Sequence, residues 1–295
     1  MLDYVLIRAL TSFICGAFLT LTGSLSQIVT QNPLAGPSTL GVNALIIFIV
    51  LIAHSIHAVL NLNYSPEWLS LILTFVVGLS FLKSKTVDKK RVFVHNRYIG
   101  QMGKILLLGL ALNLLVGAVF SLLQFLFMTY NLQFPTELWF GNFRFSDLPI
   151  LILLIGLLIA VMLLIRKYSK DFQLMSIGSD FALGFGVKVN KRVKESLFLI
   201  YMLNAVVVSF FGVFAFIGLV FPHIIRSMPG FRTRRDWELK YGPFIGGAVF
   251  LLLDQICTHV SLSGSEIPVG MISGVVGSMV LIVIIWKRSR LGSAF

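Results

Sequence analysis

Apolar runs long enough to cross a bilayer recur along the chain, at 5–29, 39–60, 66–82, 105–130, 148–165, 195–212, 241–260 and 267–286. A hydrocarbon core about 30 Å thick takes about 20 helical residues, and inside it every backbone N–H and C=O must find its partner within the protein. A chain so patterned is expected to be all-α, a polytopic transmembrane helical bundle forming a single domain over residues 1–295. Composition agrees, since 57% of the residues are hydrophobic and 12% charged, against about 25% charged in soluble domains. No cleavable-signal pattern opens the sequence, because Leu2 to Arg8 lacks a basic stretch and the apolar run from Ala9 carries straight on. Cys15 and Cys257 lie in apolar runs and read as small hydrophobes, with no disulfide inferred.

One apolar piece is too short. Phe216-Ile217-Gly218-Leu219-Val220-Phe221-Pro222-His223-Ile224-Ile225-Arg226 follows the run Leu197 to Phe211, with only Gly212 to Ala215 between. Gly212 and Gly218 permit a turn, and Pro222 withdraws a backbone donor. At roughly 1.5 Å per residue such a helix covers about half a bilayer. A broken segment is tolerated where other protein or a water-filled path satisfies its backbone; a kinked structural helix is the other reading.

Counting this piece, 213–226, gives about nine crossings. Loops 83–104, 166–194, 226–240 and 287–295 then share one side and hold 22 of the 24 Lys and Arg residues, leaving Arg8 and Arg144 for the other. Excess Lys and Arg marks cytoplasmic loops, which puts these four inside and the amino terminus outside. Without the short crossing the basic residues would be divided between the two sides. The net charge of +12 therefore reports orientation rather than a polyanionic partner, and no nucleic acid is expected. Glu67, Glu137, Asp147 and Glu266 fall in the outer loops, and Trp68, Trp139 and Trp286 suit interfacial anchors.

Catalysis finds little support. Gly100-Gln101-Met102-Gly103-Lys104 lacks the leading glycine and the Ser or Thr of a phosphate-binding loop. His54 and His57 stand at i, i+3, a metal-ligand spacing without a third ligand nearby, and read more readily as pore-lining or packed histidines. Asp254 sits in an otherwise apolar helix, where an ionised carboxylate costs on the order of 3 kcal/mol and needs a partner. It is either a polar clamp between helices or a participant in transport. Gln27 to Gly41 combines two prolines, two glycines and uncharged polar side chains. That is what a path for a bulky polar solute would need at depth, or else an unusually long inter-helix turn. In the longest inner loop, Ser176 to Val187 is apolar and small between basic flanks. Phe181, Leu183 and Phe185 on a short helical element suggest a docking knob for another protein.

These residues together resemble the FecCD/BtuC-like permeases, the membrane subunits of ABC importers for ferric siderophores, haem and cobalamin. Phe216 to Arg226 resembles the family signature. Gln27, Asn32-Pro33-Leu34-Ala35, Pro37, Leu40 and Gly41 are similar to a second element, and Gly178, Ala182, Gly186, Val187 and Val189 to the inner-loop element that couples to the ATPase. Glu266, Pro268 and Gly270 resemble the start of the last helix, and Asp254 falls at an intramembrane Asp of the family. The chain departs from the pattern at Gln31, where Arg is expected, at Gly36, where an acid is expected, and at Val5 and Thr258, where relatives carry outer arginines. It also looks one crossing short, a ten-helix fold lacking its first helix, with short coupling helices in the cytoplasmic loop 166–194.

The resemblance implies a translocation path at Gln27, Asn32, Pro33, Leu34, Pro37, Asp254, Pro222 and His223. It implies coupling to the ATPase through Gly178, Ser179, Asp180, Ala182, Leu183 and Gly186, and docking of a binding protein at Arg8, Arg144 and Glu266. The implied partners are two ATPase subunits that bind ATP and Mg, a second permease, identical or paralogous, and an extracytoplasmic substrate-binding protein. All would act at a bacterial cytoplasmic membrane on a ferric-siderophore-type iron chelate, with haem or cobalamin as the alternative cargo. No catalytic residue, metal or cofactor is expected in the chain itself. The rival from another class is a secondary carrier driven by an ion gradient, for which only Asp254, with His54, His57 or His259, offers ionisable groups. An integral-membrane enzyme has less support still, with no nucleophile–base pair or metal trio apparent.

Overall fold

A computed structural model describes residues 2–60, 65–83, 95–129, 139–231, 235–262 and 265–290. Lys85, Lys89, Lys90, Arg91, Glu137, Arg232 and Arg234 lie outside them. Ten helices follow in order: α1 Leu2–Thr30, α2 Val42–Leu60, α3 Pro66–Lys83, α4 His95–Thr129, α5 Leu148–Ile177, α6 Ser179–Gly184, α7 Val189–Phe211, α8 Ile217–Ser227, α9 Arg235–His259 and α10 Val269–Arg290. A two-residue antiparallel ladder, with Ser261 opposite Glu266 and Leu262 opposite Ser265, joins α9 to α10. The end of the bundle that carries α6 is here the inner end, and the end that carries this ladder is the outer end.

Five helices are long and apolar enough to cross a membrane by length and composition: α1, α4, α5, α7 and α9. Shorter apolar helices occur in α2, α3, α8 and α10. Several helices run past their apolar runs. The loop expected from 166 is helical to Ile177, α7 begins at Val189, and α9 begins at Arg235. Charged residues with good helix propensity extend a helix into water, so hydropathy marks where the membrane ends rather than where the helix does.

The interior is built around α1, which packs on α9, α8, α7 and α5. Helices α4 and α5 are the most apolar of the five long spans and the least buried, whereas α1 and α7 are less apolar and largely buried. This inversion follows from the medium, since a lipid-facing side chain must be apolar while an interior helix gains from small residues that let backbones approach. Several of the buried Thr and Ser side chains along α1 bond back to their own helix. Thr20, Ser26 and Thr30 donate to the carbonyls of Gly16, Thr22 and Ser26, each at 2.7 Å. A Cβ on Gly23 would collide with the Gly218 carbonyl oxygen, so α1 and α8 touch backbone to backbone there.

The short piece is a broken helix. Gly212 ends α7 at φ +80°, a conformation natural to glycine, and the chain runs without helical structure to Phe216, the left-handed residue (φ 63°) before α8. The eleven residues of α8 rise about 16 Å at 1.5 Å each, about half a bilayer. The exposed backbone is satisfied by protein: the Val213 carbonyl accepts from Gly141 N–H at 3.0 Å, and the Phe211 carbonyl from Asn142 N–H at 2.9 Å. Gly218 does not form the turn expected of it; it lies inside α8 and serves the contact with Gly23.

Replacing Gly23 with Leu should therefore force α1 and α8 apart and lower the thermal midpoint of the purified protein by several degrees, at a cost of roughly 1–3 kcal/mol or more. The same change at Gly156, whose added Cβ would meet nothing within 4 Å, should leave the midpoint nearly unchanged. Differential scanning fluorimetry in detergent compares the two.

Candidate functional site

The candidate residues separate into two groups at opposite ends of α1. At the outer end, Arg8 grips Asp254 with two hydrogen bonds, Nε to Oδ2 at 3.1 Å and Nη2 to Oδ1 at 3.0 Å. Its remaining Nη1 donates to Glu266 Oε2 at 2.8 Å. The Asp254 side chain is fully buried and that of Arg8 is 7% exposed, while Glu266 reaches the surface at 41%. The fork of the guanidinium matches a carboxylate face on, which is why an arginine can satisfy a buried acid so completely. Asp254 is thus held at the outer end, apart from the other residues assigned to a path. Arg8, assigned to docking, turns its guanidinium inward as the link between α1, α9 and the short ladder that precedes α10.

Beside this triad lies an outer cavity of about 330 Å³, lined by Arg8, Asn142, Arg144, Glu266 and Pro268 among others. Arg144 is exposed; its carbonyl accepts from Tyr4 Oη at 2.8 Å and its N–H donates to Asn142 Oδ1 at 3.1 Å. The three residues expected to dock a binding protein are therefore brought to one concave surface. Only Arg144 and Glu266 present substantial side-chain surface there.

At the inner end a second network centres on Glu238, a residue that sequence reasoning passed over. Its fully buried carboxylate accepts from Ser24 Oγ at 2.9 Å, Arg226 Nη1 at 3.0 Å and Arg235 Nη1 at 2.7 Å. Arg226 Nη2 also donates to Gln27 Oε1, and Gln27 Nε2 donates to the Leu219 carbonyl at 3.2 Å. His223 Nε2 donates to the Pro33 carbonyl at 2.7 Å, and Asn32 Oδ1 accepts from Leu34 N–H at 2.9 Å. Gln27, Asn32, Pro33, Leu34, Pro222 and His223 are accordingly collected around the lower half of α8. Pro37 lies higher, against Gly218, where the loop 31–41 folds back into the bundle. Local signals for Glu238 exist in the i, i+3 spacing from Arg235, but Ser24 is 214 positions away.

The knob stands on a tied hairpin. Gly178 has extended backbone between α5 and α6, Phe181 and Phe185 project with ring centroids 4.8 Å apart, and Ile177 is exposed beside them. Asp180, Gly184 and Gly186 are exposed, Leu183 is half-buried, and Ser179 and Ala182 are buried. A six-residue helix has one face against its hairpin, and Ala182 is on that face, so it packs rather than docks. The legs of the hairpin are joined by Arg192 on α7, whose Nε donates to Asp171 Oδ2 at 2.7 Å and whose guanidinium lies 3.6 Å from the Tyr168 ring centroid on α5. Among the described residues, no group of three or more His, Cys, Asp or Glu is placed to hold a metal; His54 Nδ1 bonds to the Val50 carbonyl at 2.9 Å.

Comparison with known proteins adds to this geometry. The sequence profile of the FecCD transport family matches residues 1–287. The chain is 28% identical to the iron(3+)-hydroxamate import system permease protein FhuG of Bacillus subtilis, over 97% of this chain and 83% of that one. It is 28% identical to the hemin transport system permease protein HmuU of Yersinia pestis, over 92% and 78%. It is 27% identical to the vitamin B12 import system permease protein BtuC of Photorhabdus laumondii, over 93% and 78%. Among solved structures, an inward-facing conformation of a metal-chelate type ABC transporter superposes with a TM-score of 0.75 at 23% identity, covering 96% of this chain and 85% of that one.

Removing one partner of the outer pair leaves a charge buried and uncompensated. Asp254→Ala should cost about 3–5 kcal/mol, and Arg8→Met combined with Asp254→Leu should recover much of the loss. Thermal midpoints of the two single variants and the double variant measure this, and the deficit of Asp254→Ala should be insensitive to salt.

Proposed function

Because the chain belongs to the FecCD transport family, we propose that it is the membrane-spanning permease subunit of an ATP-driven importer in a bacterial cytoplasmic membrane. The proposed cargo is a ferric-siderophore-type iron chelate, as for the hydroxamate permease. Haem and cobalamin are the competing cargoes, after the hemin and vitamin B12 permeases. The observation that carries the reading is the pair of exposed rings, Phe181 and Phe185, at the end of the bundle where the described basic residues gather.

In this reading the chain catalyses nothing. ATP and Mg are bound by separate ATPase subunits, a second permease completes the path, and an extracytoplasmic binding protein delivers the chelate to the outer cavity. The candidate path residues carry uncharged side chains apart from Asp254 and His223, and Asp254 is neutralised by Arg8. A lining of this kind binds weakly in either state, so direction comes from a conformational change driven by the ATPase. The tied α5–α7 hairpin passes that motion from the knob to the bundle, and the Glu238 network links α8 and α9 to α1 at the same end. The ion-gradient carrier loses its best candidate, because Asp254 is already held in an ion pair.

Phe181→Asp together with Phe185→Asp should leave the membrane level of the chain normal while co-purification of the ATPase and ATP-dependent uptake fall at least tenfold. Ala182→Arg should lower the level of the folded chain itself, since Ala182 is buried. Uptake at wild-type rates by the double variant would remove the knob from the coupling path. Proteoliposomes containing the permease, ATPase and binding protein, offered a labelled ferric siderophore, haem or cobalamin, should accumulate the siderophore; accumulation of either other cargo instead would replace it.

A further inference from the structure

Helix α5 keeps one long face bare. Ile152, Ile155, Ile159 and Leu163, spaced three or four apart, share one line of the helix and are between 39% and 63% exposed. At about 100° per residue the next positions on that line are Arg166 and Lys170, both exposed. From Ile152 to Leu163 the helix rises about 16 Å at 1.5 Å per residue, the depth of one leaflet's hydrocarbon. Arg166 follows directly where the apolar run 148–165 ends, so the face changes from apolar to basic at the membrane surface.

Arg166 and Lys170 stand one turn apart, a spacing at which like charges repel. Among the described residues neither side chain has an ion-pair partner. The acids near this end are engaged elsewhere, Asp171 with Arg192 and Glu195 with Arg192 and Lys191. Lys167, one position round the helix, lies with its Nζ 5.3 Å from the centroid of the Tyr168 ring. The knob is not involved, because α5 runs on about 10 Å along its axis from Lys170 to Ile177 before α6 begins. A second copy seated on this face about a two-fold axis along the membrane normal would bring Arg166 and Lys170 against their own equivalents. A phospholipid with a negative headgroup suits both parts of the face. The guanidinium fork matches phosphate, the lysine adds a point charge, and an acyl chain covers the isoleucines.

We propose that this face of α5 is a binding site for one anionic phospholipid of the inner leaflet, its phosphate between Arg166 and Lys170 and an acyl chain along Leu163, Ile159, Ile155 and Ile152. The inference needs α5 to span the membrane but not the import reading, so the test uses the purified full-length chain without ATPase or binding protein. Native mass spectrometry from detergent titrates phosphatidylglycerol and phosphatidylcholine with identical acyl chains. The chain should retain one phosphatidylglycerol at least tenfold more tightly than phosphatidylcholine, and Arg166→Gln with Lys170→Gln should abolish that preference. Lys188→Gln with Lys191→Gln removes as much exposed charge from the same end, beyond the knob, and should leave the preference intact. Glycerol 3-phosphate, which offers the phosphate without a chain, should not displace the lipid at equal concentration. Equal retention of the two lipids, equal losses in the two double variants, displacement by glycerol 3-phosphate, or a dimer that excludes the lipid would each overturn the proposal. Should the double variant fail to purify, Arg166→Gln and Lys170→Gln are read singly, each expected to weaken phosphatidylglycerol about three- to tenfold, and no change in either would overturn it equally.

Discussion

A backbone that leaves its helix inside a bilayer has no water to turn to, and the stretch between Gly212 and Phe216 lives under that rule. Its hydrogen bonds are made with the outer loop at Gly141 and Asn142, and Gly141 in turn accepts from Gly270 N–H at 2.8 Å at the start of α10. The break therefore fastens three parts of the outer end to one another while α8 occupies the inner half. Because α8 starts at mid-depth, its first turn meets the middle of α1, where Gly23 allows the backbones to touch. The same arrangement leaves a cavity beside the non-helical stretch and brings His223 down to Pro33.

Charge is used at both ends of the α1–α9 pair and kept out of the middle. Arg8 with Asp254 and Glu266 closes the outer end; Ser24, Gln27, Arg226 and Arg235 around Glu238 close the inner one. Buried ion pairs seldom add net stability, because desolvation offsets most of the attraction. What they supply is register. Two helices with small residues along their contact can slide, and a bidentate pair at one end with a three-donor carboxylate at the other makes every slipped arrangement leave a charge unpaired. The knob helix α6 hangs from a hairpin whose legs are joined by Arg192 and Asp171.

Much of this was legible from the sequence where one-dimensional rules govern. Apolar run length marked where the helices lie, five of them long and apolar enough to cross a membrane, and the distribution of Lys and Arg is what made the short piece count as a crossing. Helix ends such as Arg166 to Ile177 were not legible, since charged helix formers continue a helix without any apolar signal. Gly218 looked like a turn residue because its close contact, Gly23, is distant in sequence. Glu238 read as one acid among basic neighbours until the fold brought Ser24 and Arg226 to it. Asp254 was marked by its lone charge in an apolar run, yet nothing local named Arg8 as its partner. Ala182 and Phe185 belong to one motif, and only the fold shows that the first packs inward and the second projects.

The central claim is that the broken segment carries the chain across the membrane, so that α7, α8 and α9 put the knob and the α9–α10 connection on opposite sides. Single cysteines at Phe185 and Val260, which are 66% and 49% exposed, report this directly against a background in which Cys15 and Cys257 are buried. In vesicles of known sidedness that contain the chain alone, a membrane-impermeant maleimide should label Phe185→Cys from the cytoplasmic face and Val260→Cys from the opposite face. Labelling of both positions from the same face would mean that the segment turns back, and would contradict the account.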